Sequence, residues 1–213
     1  MNVLFEGKGF VAVDKAAGVP VIPGRDGAAD CVRTRVEAQL KRPVWVVHRL
    51  DRDTSGVLLF ALDADTHRRL SMAFEAGTVA KRYVAIVEGR LEKWVSVDAA
   101  LVEARKSRMR VAREGEAGKA AQTVFAPRKV FASAALVECE PLTGRTHQIR
   151  VHLQSIGHPL LFDHQYGRKT PVTVGDVVLA RTPLHAERVV VEGVTIEAPM
   201  PDDLAAVIAR LPA

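Results

Sequence analysis

The sequence predicts an α+β protein, a mainly antiparallel, mixed β-sheet with a few flanking helices. Three observations lead there. Runs of branched and aromatic residues, bounded by Gly, Pro and Asp, recur along the whole of residues 1–213. Segments with apolar residues at helical spacing are few and scattered between those runs. No internal repeat, low-complexity tract or long linker interrupts them, so residues 1–213 are expected to form a single domain.

In chain order, residues 9–15 read as a first strand, ended by Ala16-Ala17-Gly18-Val19-Pro20 and the turn-rich Pro23-Gly24-Arg25-Asp26-Gly27. Asp30 is the expected N-cap of a helix reaching Leu40, with Val32, Val36 and Leu40 on one face. Residues 44–47 and 57–61 follow as strands, joined by the polar His48-Arg49-Leu50-Asp51-Arg52-Asp53-Thr54-Ser55-Gly56, whose Thr-Ser-Gly end favours a sharp turn. Asp65 is expected to start a helix with Leu70, Ala73 and Phe74 inward and Gly77 as its stop. Residues 81–87 form a strand by their branched and aromatic content. Residues 95–123 are polar; their Arg105, Lys106, Arg108, Arg110 and Arg113 suit a solvated loop or hairpin, or a seat for phosphates. Strands return at Val124-Phe125 and 134–137. Thr146 is expected to cap a helix with Ile149, Leu153 and Ile156 inward, ended by Gly157. Residues 172–180 and 189–196 read as two late strands, and Pro201 opens a closing helix carrying Leu204, Val207, Ile208 and Leu211.

Composition narrows the function classes. Hydrophobic residues at 48% and charged residues at 26% are those of a soluble globular protein. The formal charge of +5, from 30 Lys+Arg against 25 Asp+Glu, leans towards a polyanionic partner rather than a membrane. Cys31 and Cys139 form no C-x-x-C pair and are expected as free, buried thiols in a reducing compartment. The first residues carry no basic segment before a long apolar run, and no run approaches the roughly 20 residues a spanning helix needs, so a cytoplasmic location is expected. The histidines show no H-E-x-x-H or comparable spacing, and a metal site is not expected.

Four places can carry chemistry. The segment 48–56 presents charge at strand ends, where a rigid scaffold commonly holds reactive groups. Asp51 lies between Arg49 and Arg52, which favour its ionised form; a turn or capping aspartate is the plain alternative. Tyr83, after Lys81 and Arg82, is either an ordinary half-buried sheet residue or a ring stacked on an extruded base. In Arg145-Thr146-His147-Gln148-Ile149-Arg150, His147 and Arg150 lie on neighbouring faces of one helical turn. Arg150 adjoins the inward stripe; if covered it needs a carboxylate, for which Asp51 is the candidate. The fourth place is the Arg105 to Arg113 cluster.

Together these strings resemble the RluA-type pseudouridine synthases. His48-Arg49-Leu50-Asp51-x-x-Thr54-Ser55-Gly56 matches the family's catalytic signature at each fixed position. The stretch from Val11 to Pro20 is similar to the early V-N-K-P-x-G segment, departing from it at Asp14 and Ala16. Lys81-Arg82-Tyr83 corresponds to K-x-Y, and Gly118-Lys119-Ala120-Ala121-Gln122-Thr123 to G-K-x-A-x-T. Leu142 to His152 follows the late motif almost letter for letter. Gly157-His158-Pro159, Asp163, Tyr166-Gly167 and Leu184-His185-Ala186 come next in order.

The resemblance implies a pseudouridine synthase-like fold in its short form, without a separate N-terminal RNA-binding domain. It implies isomerisation of uridines to pseudouridine in structured RNA, ribosomal, transfer or both. Asp51 would act at the anomeric carbon, by attack or through a glycal, with Arg150 pairing with it and Tyr83 stacked on the uracil. Arg49 would contact the RNA, with His48, Arg52, Thr54, Lys81, Arg145 and His147 as further substrate-binding residues. Nothing is oxidised and no group is imported, so no cofactor is expected; nor is an obligate protein partner, and a monomer is the expected state. Two rivals exist. Asp53-Thr54-Ser55-Gly56 spells an aspartic-protease tetrad, but that chemistry needs a second such aspartate, and no other D-T-G or D-S-G occurs. A non-catalytic RNA binder on the same fold would have no use for Asp51, Tyr83 and Arg150 together.

Overall fold

A hairpin that the sequence does not announce opens the chain, joining β1 (Asn2–Gly7) to β2 (Phe10–Lys15). Its two-residue loop, Lys8-Gly9, has φ of 51° and 78°, the paired left-handed conformation of a type I′ turn. The computed structural model describes residues 1–23, 30–104 and 108–213. The expected turn at 24–27 and the cations Arg105 and Lys106 lie outside the described residues. The chain divides into two units, Met1–Ala80 with His185–Pro199, and Lys81–Leu184 with Met200–Ala213.

In the first unit β2 pairs antiparallel with β4 (Ser55–Ala61), as does β3 (Trp45–Val46). β13 (Leu184–Val191) runs parallel to β4 through His185↔Ser55 and Ala186↔Gly56, and β14 (Val194–Glu197) pairs with β13. Every residue of β4 is buried, which is why its sequence is a continuous apolar run and not an alternating one. Phe10, Ala12, Val57, Leu59, Val189 and Ile196 form a core with Leu70 of α2 (Ala64–Glu75). α1 (Val32–Leu40) buries Val32 and Val36 and leaves Leu40 half-buried.

The second unit holds an antiparallel sheet of β5 (Ala80–Glu88), β10 (Ala134–Pro141), β9 (Gln122–Val130) and β6 (Val95–Asp98). Successive strand residues point to opposite faces. Ala85 and Val87 of β5 accordingly pack with Ile149 and Leu153 of α3 (Gln148–Ser155), whereas Ile86 packs with Leu204 and Val207 of α4 (Asp202–Arg210). A small hairpin, β7 (Leu101–Glu103) with β8 (Met109–Val111), falls where only polar chain or a hairpin was expected. The class is the expected one: α+β, with antiparallel pairings within each unit except for the parallel β4/β13 contact.

Local corrections have identifiable causes. α1 is capped by Cys31, whose N–H donates to Thr34 Oγ1 at 3.2 Å, because Asp30 is drawn into a bidentate pair with Arg35 at 2.7 and 2.6 Å. α2 starts on Asp63, which accepts the N–H of Thr66 at 2.7 Å, and not on Asp65. α3 starts from His147 at φ 55°, and Thr146 does not cap it. The segment 172–180 is a hairpin folded at Gly175-Asp176, β11 (Val172–Val174) with β12 (Val177–Leu179). Likewise 189–196 turns at Glu192-Gly193, with φ of 50° and 74°.

Candidate active site

Asp51 occupies the first position of a β-turn: its carbonyl accepts the N–H of Thr54 at 3.1 Å. The turn is braced from below by Lys15, which ends β2 fully buried and donates to the carbonyls of Arg52 (2.8 Å), Thr54 (2.8 Å) and Ala16 (3.0 Å). A buried ammonium is tolerated only when such acceptors replace its water. Arg52 Nε donates to the Gly18 carbonyl at 2.9 Å and the Gly18 N–H returns to the Arg52 carbonyl at 2.9 Å, so the loop after β2 and the Asp51 turn hold each other. His48 accepts the N–H of Leu59 on Nε2 at 3.0 Å and stacks on Phe74 at 4.4 Å. Its Nδ1 therefore carries the proton.

Downstream of the turn, Ser55 Oγ lies 3.0 Å from Nδ1 of buried His185, whose Nε2 faces the Ala198 carbonyl. Nε2–H donating to that carbonyl leaves Nδ1 to accept the serine proton. Gly56 has φ 112°, and a Cβ there would meet the Ala186 carbonyl oxygen at 2.2 Å, so the approach of β13 requires glycine. The product is a half-buried carboxylate at Asp51 on a rigid turn, beside exposed Arg49 and Arg52.

The second unit places Tyr83 on β5 opposite Cys139, half-buried against the core. Lys81 Nζ donates to the Thr143 carbonyl at 3.3 Å, and burial pulls its pKa below the ordinary lysine value. Arg145 Nε donates to the Ala120 carbonyl at 2.9 Å. Its loop is stapled by Gln148, whose Oε1 accepts from Thr143 Oγ1 (2.6 Å) and Arg145 N (3.0 Å) and whose Nε2 donates to Gln122 O and Thr123 Oγ1 (2.9 Å each). His147 Nδ1 lies 2.7 Å from Tyr166 Oη.

Arg150 is covered, as the inward stripe implied, at 5% exposure. Within its own unit Arg150 meets Asp163, fully buried, in a bidentate pair at 2.7 and 2.8 Å, with Gln165 Oε1 at 3.2 Å. Burial pushes the Asp163 carboxyl up, but Arg150 and the N–H groups of Gln165 and Tyr166 outweigh it and hold the pKa below the ordinary value. Asp163, Gln148, Tyr166 and Lys15 are residues for which sequence reasoning assigned no part. The only signal was their presence inside the matched strings. Among the described residues no group of three His, Cys, Asp or Glu side chains could hold a metal.

Residues 9–155 match the family described as RNA pseudouridylate synthase. The chain is 36% identical over 225 residues to the ribosomal large subunit pseudouridine synthase D of Nitrosomonas europaea, covering 98% of this chain and 64% of that protein. It is 38% identical over 192 residues to the ribosomal large subunit pseudouridine synthase C of Haemophilus influenzae, covering 87% of this chain and 59% of that one. The structure of human RNA pseudouridylate synthase domain containing 4 superposes with a TM-score of 0.81 at 25% identity, covering 100% of this chain and 95% of the other. The chain belongs to the RNA pseudouridylate synthase family. It spans 59–64% of the length of the two bacterial relatives.

Proposed function

We propose that this protein is an RNA pseudouridine synthase acting on ribosomal RNA in the cytoplasm, as a monomer and through one domain made of both units. The observation that carries this reading is the Asp51 turn, displayed beside exposed cations and braced from beneath by Lys15. Isomerising uridine breaks the bond from the anomeric carbon to the base nitrogen, which builds positive charge on the sugar that a carboxylate stabilises or traps. The base turns, its carbon 5 bonds to the anomeric carbon, and the proton on carbon 5 leaves. Asp51 serves equally in direct attack or in forming a glycal. To reach that carbon the nucleotide must leave the stack; Tyr83 stacks on the extruded uracil, and Arg49 contacts the RNA it left. His48 and Arg52 hold the turn, Thr54, Lys81, Arg145 and His147 complete the substrate contacts, and Arg150 keeps the Asp51 carboxylate ionised.

Release of tritium from ribosomal RNA labelled at uridine carbon 5 tests the reading. The wild-type chain is expected to release it, and Asp51→Asn to bind the same RNA and release none. Ordinary turnover by Asp51→Asn would remove Asp51 from the chemistry, and a labelled transfer RNA run alongside separates the two substrate classes.

A further inference from the structure

Tyr166 is 3% exposed and stands where three segments of its unit meet. Its hydroxyl accepts the N–H of Met109, the first residue of β8, at 2.8 Å, and lies 2.7 Å from Nδ1 of His147 at the start of α3. The Arg150 guanidinium is 4.9 Å from its ring centroid and that of Arg108 is 5.5 Å away. Asp163, which grips Arg150, also accepts the backbone N–H of Tyr166 at 3.1 Å. Arg108 in turn donates to the Gln165 carbonyl.

We propose that Tyr166 is a positioning residue with two separable actions: its hydroxyl locks the β7–β8 hairpin to the start of α3, and its ring fixes the plane of the Arg150 guanidinium. The hairpin needs such a lock. Strands of three residues each make a ribbon that is marginal in water; the backbone bonds between Leu101 and Lys119 tie its first strand, and its second rests on a small cluster of Leu101, Ala121, Val151 and Tyr166, with Met109 and Val111 against it. Burial raises the pKa of the phenol, so the hydroxyl keeps its proton at neutral pH and has lone pairs for Met109. The bidentate bond to Asp163 fixes two nitrogens of Arg150, and a desolvated aromatic face against the guanidinium sets its tilt. The guanidinium groups of Arg108 and Arg150, both against the Tyr166 ring, are thereby held as one rigid pair.

The catalytic part of this inference rests on the pseudouridine synthase reading; the docking part does not. Tyr166→Phe removes the hydroxyl and keeps the ring. It is expected to raise amide exchange across β7 and β8, and to raise KM for ribosomal RNA in the tritium-release assay by about tenfold, with kcat unchanged. Tyr166→Leu removes the ring too and is expected to lower kcat as well. Unchanged exchange at Met109 in Tyr166→Phe, or a loss of kcat with KM unmoved, overturns the lock. A folded Tyr166→Leu with wild-type kcat overturns the action on Arg150. If the wild-type chain released no tritium the functional reading would fail, and amide exchange would still decide the docking.

Discussion

Thr54 carries a hydroxyl that is buried and has no hydrogen-bond partner among the described residues, one turn position beyond Asp53 and three beyond Asp51. Such a group costs roughly 1–3 kcal/mol relative to one that is satisfied. Thr54→Val, similar in shape and lacking the hydroxyl, is therefore expected to leave the thermal midpoint unchanged or raised. In the proposed reading the same hydroxyl is completed by substrate, so tritium-release kcat/KM should fall about tenfold, the worth of one buried hydrogen bond. A variant that loses stability, or one that keeps full kcat/KM, refutes this role. Arg150 shows what the sequence can and cannot convey at this scale. Its burial was legible, because it adjoins an apolar helical stripe. Its partner Asp163 was not, since which carboxylate faces a guanidinium depends on how the loop after α3 folds back, and Asp163 carries no periodicity of its own.

His152 makes α3 sensitive to acid. It is fully buried, with Nε2 at 3.0 Å from the Ala99 carbonyl and Nδ1 at 2.9 Å from Thr123 Oγ1. With Nε2–H on the Ala99 carbonyl, the neutral ring takes the Thr123 hydroxyl proton on Nδ1; a charged ring forces that hydroxyl, which also accepts from Gln148 Nε2, to turn its proton away. Burial lowers the pKa below the ordinary 6.5, despite the Ala99 carbonyl and Asp98 favouring the charged form. The unfolded chain then takes up this proton at a higher pH than the native one, so the stability is present above 6.5 and is lost as pH falls from there towards the native pKa. Thermal midpoints from about pH 7.5 to about pH 5.5 should decline, and decline less steeply in His152→Gln. Equal slopes would assign the acid sensitivity elsewhere. Element by element, what escaped sequence reading was short-range punctuation. Glu192-Gly193 and Gly175-Asp176 are two-residue turns flanked on both sides by valine, so each hairpin reads as one long valine-rich strand. Two helix starts slipped by one or two residues because Asp30 is taken by Arg35 and because Asp63, ahead of Asp65, accepts the Thr66 N–H. Strand runs as apolar as β4 were legible because burial on both faces leaves no polar position.

Across the whole chain, the charge of +5 understates how unevenly cations are committed. Many arginines are taken by carboxylates: Arg69 by Glu192, Arg90 by Glu92, Arg168 by Glu88, Arg181 by Asp203. Arg110, from the basic cluster expected to seat phosphates, is held bidentate by Glu116 at 2.7 Å, which brings that carboxyl down to about 2. Among the described residues Arg49, Lys81 and Arg145 pair with no carboxylate; Lys81 and Arg145 donate only to carbonyls. A cation already neutralised by a carboxylate releases few counterions when a phosphate arrives, whereas an uncommitted one releases its full share. If RNA is the partner, the salt dependence of binding should therefore report the uncommitted set. Plots of log Kd against log salt, measured with a ribosomal RNA fragment, should lose about one unit of slope in each of Arg49→Ala, Lys81→Ala and Arg145→Ala. Arg90→Ala, removing an arginine already held by Glu92 at 2.9 Å, should leave the slope where it was. A slope that falls for Arg90→Ala and holds for the other three would place the RNA path along the paired arginines, and the assignment of Arg49, Lys81 and Arg145 to substrate would have to be withdrawn.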